Sequence, residues 1–255
     1  VGASYFIYQK LMKNPDLDFN RFIQFTAQNA IFSPKNLIFL LLLSIFNWFF
    51  EISKWRDLVS VVTRISFKNA LEQSLGALTA SLFTPNRIGE YGAKAAYYTS
   101  QQRRKIMLVN LLSNMMQMSV TVIMGIIGFS VYINNYDVDI NYYKIGRFFI
   151  IILTVAFLAI FGVTKNRFKI KGFSLERIKA FVLDFPKSKL ISGLVFSLSR
   201  YLIFSFQFYL VLHIFKVDIS YLEAMSVITS MYLIASIIPS IFIFDVVVKG
   251  SIAVY

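Results

Sequence analysis

The sequence predicts an all-α, polytopic membrane protein with two proline-broken re-entrant hairpins arranged as an inverted repeat. Three observations predict it. The 255 residues are 57% hydrophobic and 17% aromatic, with a mean hydropathy of +0.63, more apolar side chain than a water-soluble domain of this length hides in one core. The apolar residues gather into long runs. Two of the longer helical patterns stop at a proline that is followed by an acid and a lysine four residues apart, at Pro85, Glu90 and Lys94 and again at Pro239, Asp245 and Lys249.

The runs are 37–50, 106–133, 148–163, 190–215 and 222–243. They lie near or beyond the roughly 20 residues that cross a bilayer core, the first and third being close to the lower limit of about 17. "VGASYFIY" at the start reads as the tail of a span, and Tyr255 falls inside an apolar stretch. A single transmembrane domain over 1–255, cut at both ends, is expected.

Lys and Arg number 26 against 13 Asp and Glu, a net charge of +13. The basic residues concentrate in short loops, which disfavours nucleic-acid binding. In the loop 165–189, Lys165, Arg167, Lys169, Lys171, Arg177, Lys179, Lys187 and Lys189 face only Glu176 and Asp184. The positive-inside rule places this loop in the cytoplasm, where it would touch anionic lipid headgroups. Alternation then puts "NNYDVDINYYK", residues 134–144, outside, and Arg103, Arg104 and Lys105 inside. There is no cysteine, which excludes disulfides, thiolate metal sites and cysteine catalysis.

Residues 53–69 place Trp55, Leu58, Val59, Val62 and Ile65 at helical spacing with Lys54, Arg56, Arg64 and Lys68 between them, the pattern of an interfacial helix on the cytoplasmic surface. The next segment starts and ends on that same side. A helix over 71–84 is about 21 Å long, too short for a core of about 30 Å, and Pro85 forces a break near Thr84. Residues 71–98 therefore read as a re-entrant hairpin, the alternative being one kinked span.

A second copy follows at 222–255. "LEQSLGALTASLFTP" from Leu71 and "LEAMSVITSMYLIASIIP" from Leu222 match in outline, with 154 residues between the two prolines and 155 between both the acids and the lysines. Three spans lie between the copies, so two hairpins would enter from opposite faces, as in many secondary transporters whose substrate site lies at such broken helices.

A helix starting at Pro85, with Thr84 as its cap, would bring free amides and Arg87 to membrane depth, a setting suited to phosphate. Glu90, Lys94 and Tyr98 follow Arg87 on one face. Arg87 and Lys94 would take a phosphate, and Glu90 and Asp245 an amine. Gly89 and Gly92 would allow close approach of backbone or ligand. The competing reading is a self-neutralising structural cluster. Arg200 and Gln207 share a helix face, open to a pathway role or to interhelical pairing. Glu72 and Glu223 fit helix-dipole compensation, His213 a structural place, and Glu51 a surface pair with Lys54 or Trp55.

At "FNWFFEISKWRDL", residues 46–58, and "TPNRIGEYG", residues 84–92, the chain resembles the flippase-like membrane domain of lysylphosphatidylglycerol synthases and its stand-alone relatives. That family carries an element like Pro85, Arg87, Gly89 and Glu90. Many members also have a glycine-rich turn and a glutamate after the second proline, where this chain offers "PSIFIFDVVVKG" with Asp245. The resemblance implies movement of a lipid, such as an aminoacylated phosphatidylglycerol, between leaflets. No aminoacyl-transferase region is present in these residues, so the synthase activity is not carried over.

The expectation is thus a multi-pass protein of a bacterial inner membrane, a flippase-like translocator of an anionic or aminoacylated phospholipid, with Pro85, Arg87, Gly89, Glu90, Lys94, Arg200, Asp245 and Lys249 at the substrate. No catalytic residue, metal site or cofactor is expected: H-E-x-x-H, G-x-S-x-G and G-x-x-x-x-G-K-[ST] are all missing from the sequence. The rival functions are an intramembrane lipid-modifying transferase and a non-transporting scaffold or partner subunit.

Overall fold

The structure is a computed structural model that describes residues 19–28, 31–84, 87–136 and 180–237. Among these the chain is helical throughout, without strands. The helices are α1 (Phe19–Gln28), α2 (Pro34–Val59), α3 (Phe67–Leu82), α4 (Ile88–Ala96), α5 (Ser100–Asn135), α6 (Lys187–Ile214) and α7 (Tyr221–Ile237).

Local signals set the ends. Pro34 opens α2 behind Ser33, whose hydroxyl accepts from the Asn36 amide at 3.4 Å, and Asn36 Nδ2 donates back to the Ile31 carbonyl at 3.1 Å. Ser66 caps α3 in the same way through the Asn69 amide at 3.2 Å. With 26, 36 and 28 residues, α2, α5 and α6 are long and apolar enough to cross a membrane. The 16 residues of α3 and the nine of α4 reach about 24 and 14 Å. Neither crosses alone.

Burial runs opposite to that of a water-soluble protein. Leu37, Ile38, Leu41, Ile45, Phe46 and Phe49 of α2, Ile123, Ile126 and Ile127 of α5, and Ile191, Val195 and Leu202 of α6 are exposed, while Glu90, Lys94, Lys54, Asn110, Ser113 and Ser197 are sealed inside. Apolar chains outside and polar chains within suit hydrocarbon as solvent. This is a membrane protein, and lipid covers the outward face.

Helices α2 and α6 run antiparallel and pack closely. Three polar rungs join them: Asp57 with Lys189 and Ser192, Glu51 with Arg200, and Ser44, whose hydroxyl accepts from Gln207 Nε2 at 2.9 Å. Small residues admit the other contacts. A Cβ on Gly193 would meet Met116 Sδ at 2.5 Å, and one on Gly128 would collide with the Thr229 hydroxyl, so α6 and α7 both lie tight against α5.

Two expectations are corrected here. No interfacial helix covers 53–69: α2 continues to Val59, and 60–66 form a turn and extended connection. Trp55, Leu58 and Val59 are fully buried, because their spacing marks the face turned to the other helices rather than to headgroups. Glu51 likewise leaves the surface for the interior, where Lys54 and Arg200 share its Oε2. The run 106–133 is α5, extended to Ser100–Asn135, and 190–215 is α6. The run 148–163, most of the basic loop 165–189, and everything after 237 lie outside the described residues, as does the second hairpin beyond α7.

Gly128→Val is expected to wedge α5 from α7 and to cost about 1 to 3 kcal/mol, the usual penalty for overpacking. Thermal unfolding in detergent checks it, and Gly92→Ala, where a Cβ meets nothing within 4 Å, is the control.

Candidate functional site

Between Leu82 and Ile88 the chain turns from α3 into α4, which packs back on α3. The helix break expected near Thr84 is therefore present, with Pro85 itself outside the described residues. The second helix begins at Ile88 rather than at Pro85, since Arg87 stands before it in the left-handed region at φ 58°, ψ 26°. A residue with a Cβ pays about 1 to 2 kcal/mol there. Thr84 still acts on the helix start: its hydroxyl accepts from the Gly89 amide at 2.9 Å and donates to the Ala80 carbonyl at 3.2 Å. Gly89 is required by this turn, because a Cβ would stand 2.5 Å from the Ala80 oxygen. Gly92 has no such neighbour, so close approach explains Gly89 alone.

The turn delivers Arg87, Glu90 and Lys94 to one face. Arg87 Nη2 lies 3.2 Å from Glu90 Oε2, and Lys94 Nζ lies 2.8 Å from Glu90 Oε1. Lys94 also donates to Asn110 Oδ1 at 2.8 Å and sits 4.1 Å from the ring centroid of Trp55. The ammonium is held by a carboxylate, an amide and an aromatic face. Trp55 is fixed in turn, since Gln73 Oε1 accepts from both Trp55 Nε1 and the Tyr98 hydroxyl, each at 2.8 Å. Glu90 and Lys94 are 2% and 1% exposed, whereas the Arg87 side chain is 43% exposed. Arg87 is the outer end of the cluster.

A second cluster forms around Glu51. Its Oε2 accepts from Arg200 Nη1 and lies 2.9 Å from Lys54 Nζ, and Arg200 Nε donates to Asn47 Oδ1 at 2.8 Å. Lys94 is near enough to interact electrostatically with both Glu51 and Lys54, so the two clusters form one field. Glu51 stands eight residues, about 12 Å, from the end of α2, and Arg200 stands thirteen residues, about 20 Å, from the start of α6. Glu51 and Arg200 thus stand well inside helices long and apolar enough to cross a membrane. Arg87, Lys94, Lys54 and Arg200 outnumber Glu51 and Glu90, leaving positive charge in excess.

Of the expected substrate residues, the structure gathers Arg87, Gly89, Glu90 and Lys94 at the break and brings Arg200 into the adjoining cluster. Asp245 and Lys249 lie outside the described residues, with Pro85. Gln207 pairs with α2, as does Arg200, which favours interhelical pairing for that helix face. Glu72 is exposed in the second turn of α3, Glu223 lies in the first turn of α7, and His213 stacks on Tyr209 near the end of α6. Asn47, Gln73, Asn110 and Gln117 enter the network unforeseen, while the expected Glu51–Lys54 pair forms in the interior rather than at the surface. Part of the signal was available: Asn110, Ser113 and Gln117 stand at i, i+3 and i+7 on a long apolar helix, a polar stripe on one face.

Lys94→Met leaves Glu90 buried with only the outer Arg87, and is expected to cost about 3 to 5 kcal/mol, as breaking a buried pair does. Joint Lys94→Met and Glu90→Gln should recover much of that loss. Denaturation of the single and double variants in matched detergent measures the coupling.

A family model described as the lysylphosphatidylglycerol synthase TM region matches residues 19–247. Comparison with curated proteins and with solved structures gave no significant match. The matched segment takes in the helix break, both charge clusters and every helix described above, and the chain belongs to the lysylphosphatidylglycerol synthase transmembrane-region family.

Proposed function

We propose that the protein is a flippase-like translocator that moves an anionic or aminoacylated phospholipid between the leaflets of a bacterial inner membrane. The observation that carries this reading is the surplus of cations over carboxylates in the joined clusters: Glu51 and Glu90 balance the sealed Lys54 and Lys94, and the partly exposed Arg87 and Arg200 are left in excess. Ionised groups in hydrocarbon cost several kcal/mol each unless paired, and cations beyond the number of carboxylates still need an anion. A lipid phosphate supplies one. Its acyl tails would stay in the bilayer while the headgroup passes along the polar face of α4.

The two short helices support the same reading. Each is too short to cross alone, and at the break between them Arg87 is half-exposed beside the sealed Glu90–Lys94 pair. In this reading α3 and α4 form the first re-entrant hairpin and residues 222–255 the inverted second, with Asp245 and Lys249 completing the path. Membership of a family named for lysylphosphatidylglycerol synthesis favours a lipid substrate. Non-enzymatic action is part of the proposal. The full burial and mutual pairing of Glu90 and Lys94 favour one rival, a scaffold in which these charges only hold helices together.

The test is movement of fluorescent anionic and aminoacylated lipids between leaflets of proteoliposomes. Arg87→Gln is expected to slow movement about tenfold or more, the loss of one charge-assisted contact of about 1.4 kcal/mol or above, with the thermal midpoint little changed. Wild-type protein that moves no lipid, or an Arg87→Gln variant that moves it as fast, leaves the scaffold reading in its place.

A further inference from the structure

Serines in these helices fall into two groups. Ser119 and Ser130 of α5, both exposed, turn their hydroxyls back to the carbonyls of Met115 and Ile126 at 2.8 and 2.9 Å, and the buried Ser205 of α6 does the same to Tyr201 at 2.7 Å. This is how a hydroxyl satisfies itself where no water reaches. Ser113 and Ser197 do not. Their hydroxyls are buried without a hydrogen-bond partner, and so, besides Ser74 of α3, Arg87 Nε and Glu90 Oε2, are the Tyr201 hydroxyl and Asn110 Nδ2 on these two helices. All four residues are 0 to 1% exposed.

These groups lie on two helices that meet at Gln117. Asn110, Ser113 and Gln117 follow one face of α5; Ser197, Arg200 and Tyr201 are neighbours on α6. Gln117 closes the seam, donating from Nε2 to the Ser197 carbonyl and accepting at Oε1 from Arg200, both at 3.4 Å. One end meets Lys94 through Asn110, and the other meets Arg200 beside Lys54, which pairs with Glu51. From Asn110 to Gln117 is seven residues, about 10 Å along the helix. Each unpartnered buried donor costs about 1 to 3 kcal/mol, a penalty that an incoming acceptor would relieve.

We propose that the seam between α5 and α6, lined by Asn110, Ser113, Ser197, Tyr201 and Arg200, is an anion site for a phosphodiester, lying deeper than the Arg87–Glu90–Lys94 cluster. The chemistry selects the ligand: the free groups are donors, the nearby charge is positive in excess, and a phosphodiester offers acceptors and one negative charge. This deepens the translocation reading and rests on it for the lipid, since the same site would also take free phosphate.

Single cysteines report on the seam, because the sequence contains none. Ser113→Cys, Ser197→Cys, Ser119→Cys and Ser205→Cys would be placed in the full chain and reconstituted, then treated with an anionic methanethiosulfonate. Vesicles would hold phosphatidylcholine, whose phosphodiester is already neutralised by its own choline, phosphatidylcholine with inorganic phosphate, or phosphatidylcholine with phosphatidylglycerol, whose headgroup keeps its net negative charge. Ser113→Cys and Ser197→Cys are expected to react and the other two to stay silent. Phosphatidylglycerol at about ten times its dissociation constant should slow the reaction about tenfold. Equal slowing by inorganic phosphate would keep the anion site and overturn the lipid as its occupant. Silent seam thiols, or rates equal in all three vesicles, overturn the site. Tyr201→Phe separates ligand from fold: it should not lower the thermal midpoint and should raise it where the unpaired buried hydroxyl is a cost, yet weaken the protection at Ser197→Cys. A lowered midpoint with protection intact contradicts the proposal. Lipid movement recorded in the same vesicles keeps the two readings apart: protection without movement retires translocation, and movement without protection retires the seam.

Discussion

An ammonium group closed off from water and set among apolar helices must be neutralised by the protein itself, and Lys94 is the group on which this structure turns. Three helices contribute to it: α4 through Glu90, α5 through Asn110 and α2 through the face of Trp55. A fourth, α3, holds Trp55 in place with Gln73. Apolar contacts alone define such an assembly poorly, because lipid tails are as good a solvent for Leu as another helix is. The charges and amides choose the neighbours, and glycines such as Gly125, Gly128 and Gly193 then let the backbones close.

The same logic explains the break before α4. Arg87 adopts a backbone conformation that costs free energy, and Gly89 is squeezed beneath the Ala80 carbonyl. That geometry turns Glu90 and Lys94 inward as a pair while Arg87 faces out. A continuous helix through this segment would distribute the charges along a longer rod and place some of them against lipid. The strain is local, and what it offsets is the far larger cost of an unpaired ion in hydrocarbon.

Much of this was legible in the sequence, for reasons that differ by residue. Spans α5 and α6 follow from apolar length, and the proline marks the break within a few residues. The face shared by Arg87, Glu90 and Lys94 follows from helical spacing. The stretch 53–69 misled because an amphipathic pattern is the same whether its apolar side meets a membrane surface or other helices. Trp55 and Lys54 look like interfacial anchors in one dimension and are core residues in three. Glu51 was misplaced for a related reason: its strongest partner, Arg200, stands 149 positions away, and nothing local announces it. That the hydroxyls of Ser113, Ser197 and Tyr201 lack partners has no sequence signature, although the stripe of Asn110, Ser113 and Gln117 marks one of the faces involved.

The three rungs between α2 and α6 carry a mechanical consequence. They fall at Ser44, Glu51 and Asp57 on one helix and at Gln207, Arg200 and Lys189 on the other. Sliding either helix by one turn, about 5.4 Å, would unmatch all three at once and leave a carboxylate facing serines or hydrocarbon. The pair therefore behaves as a keyed shaft, free to tilt as a unit but not to slip.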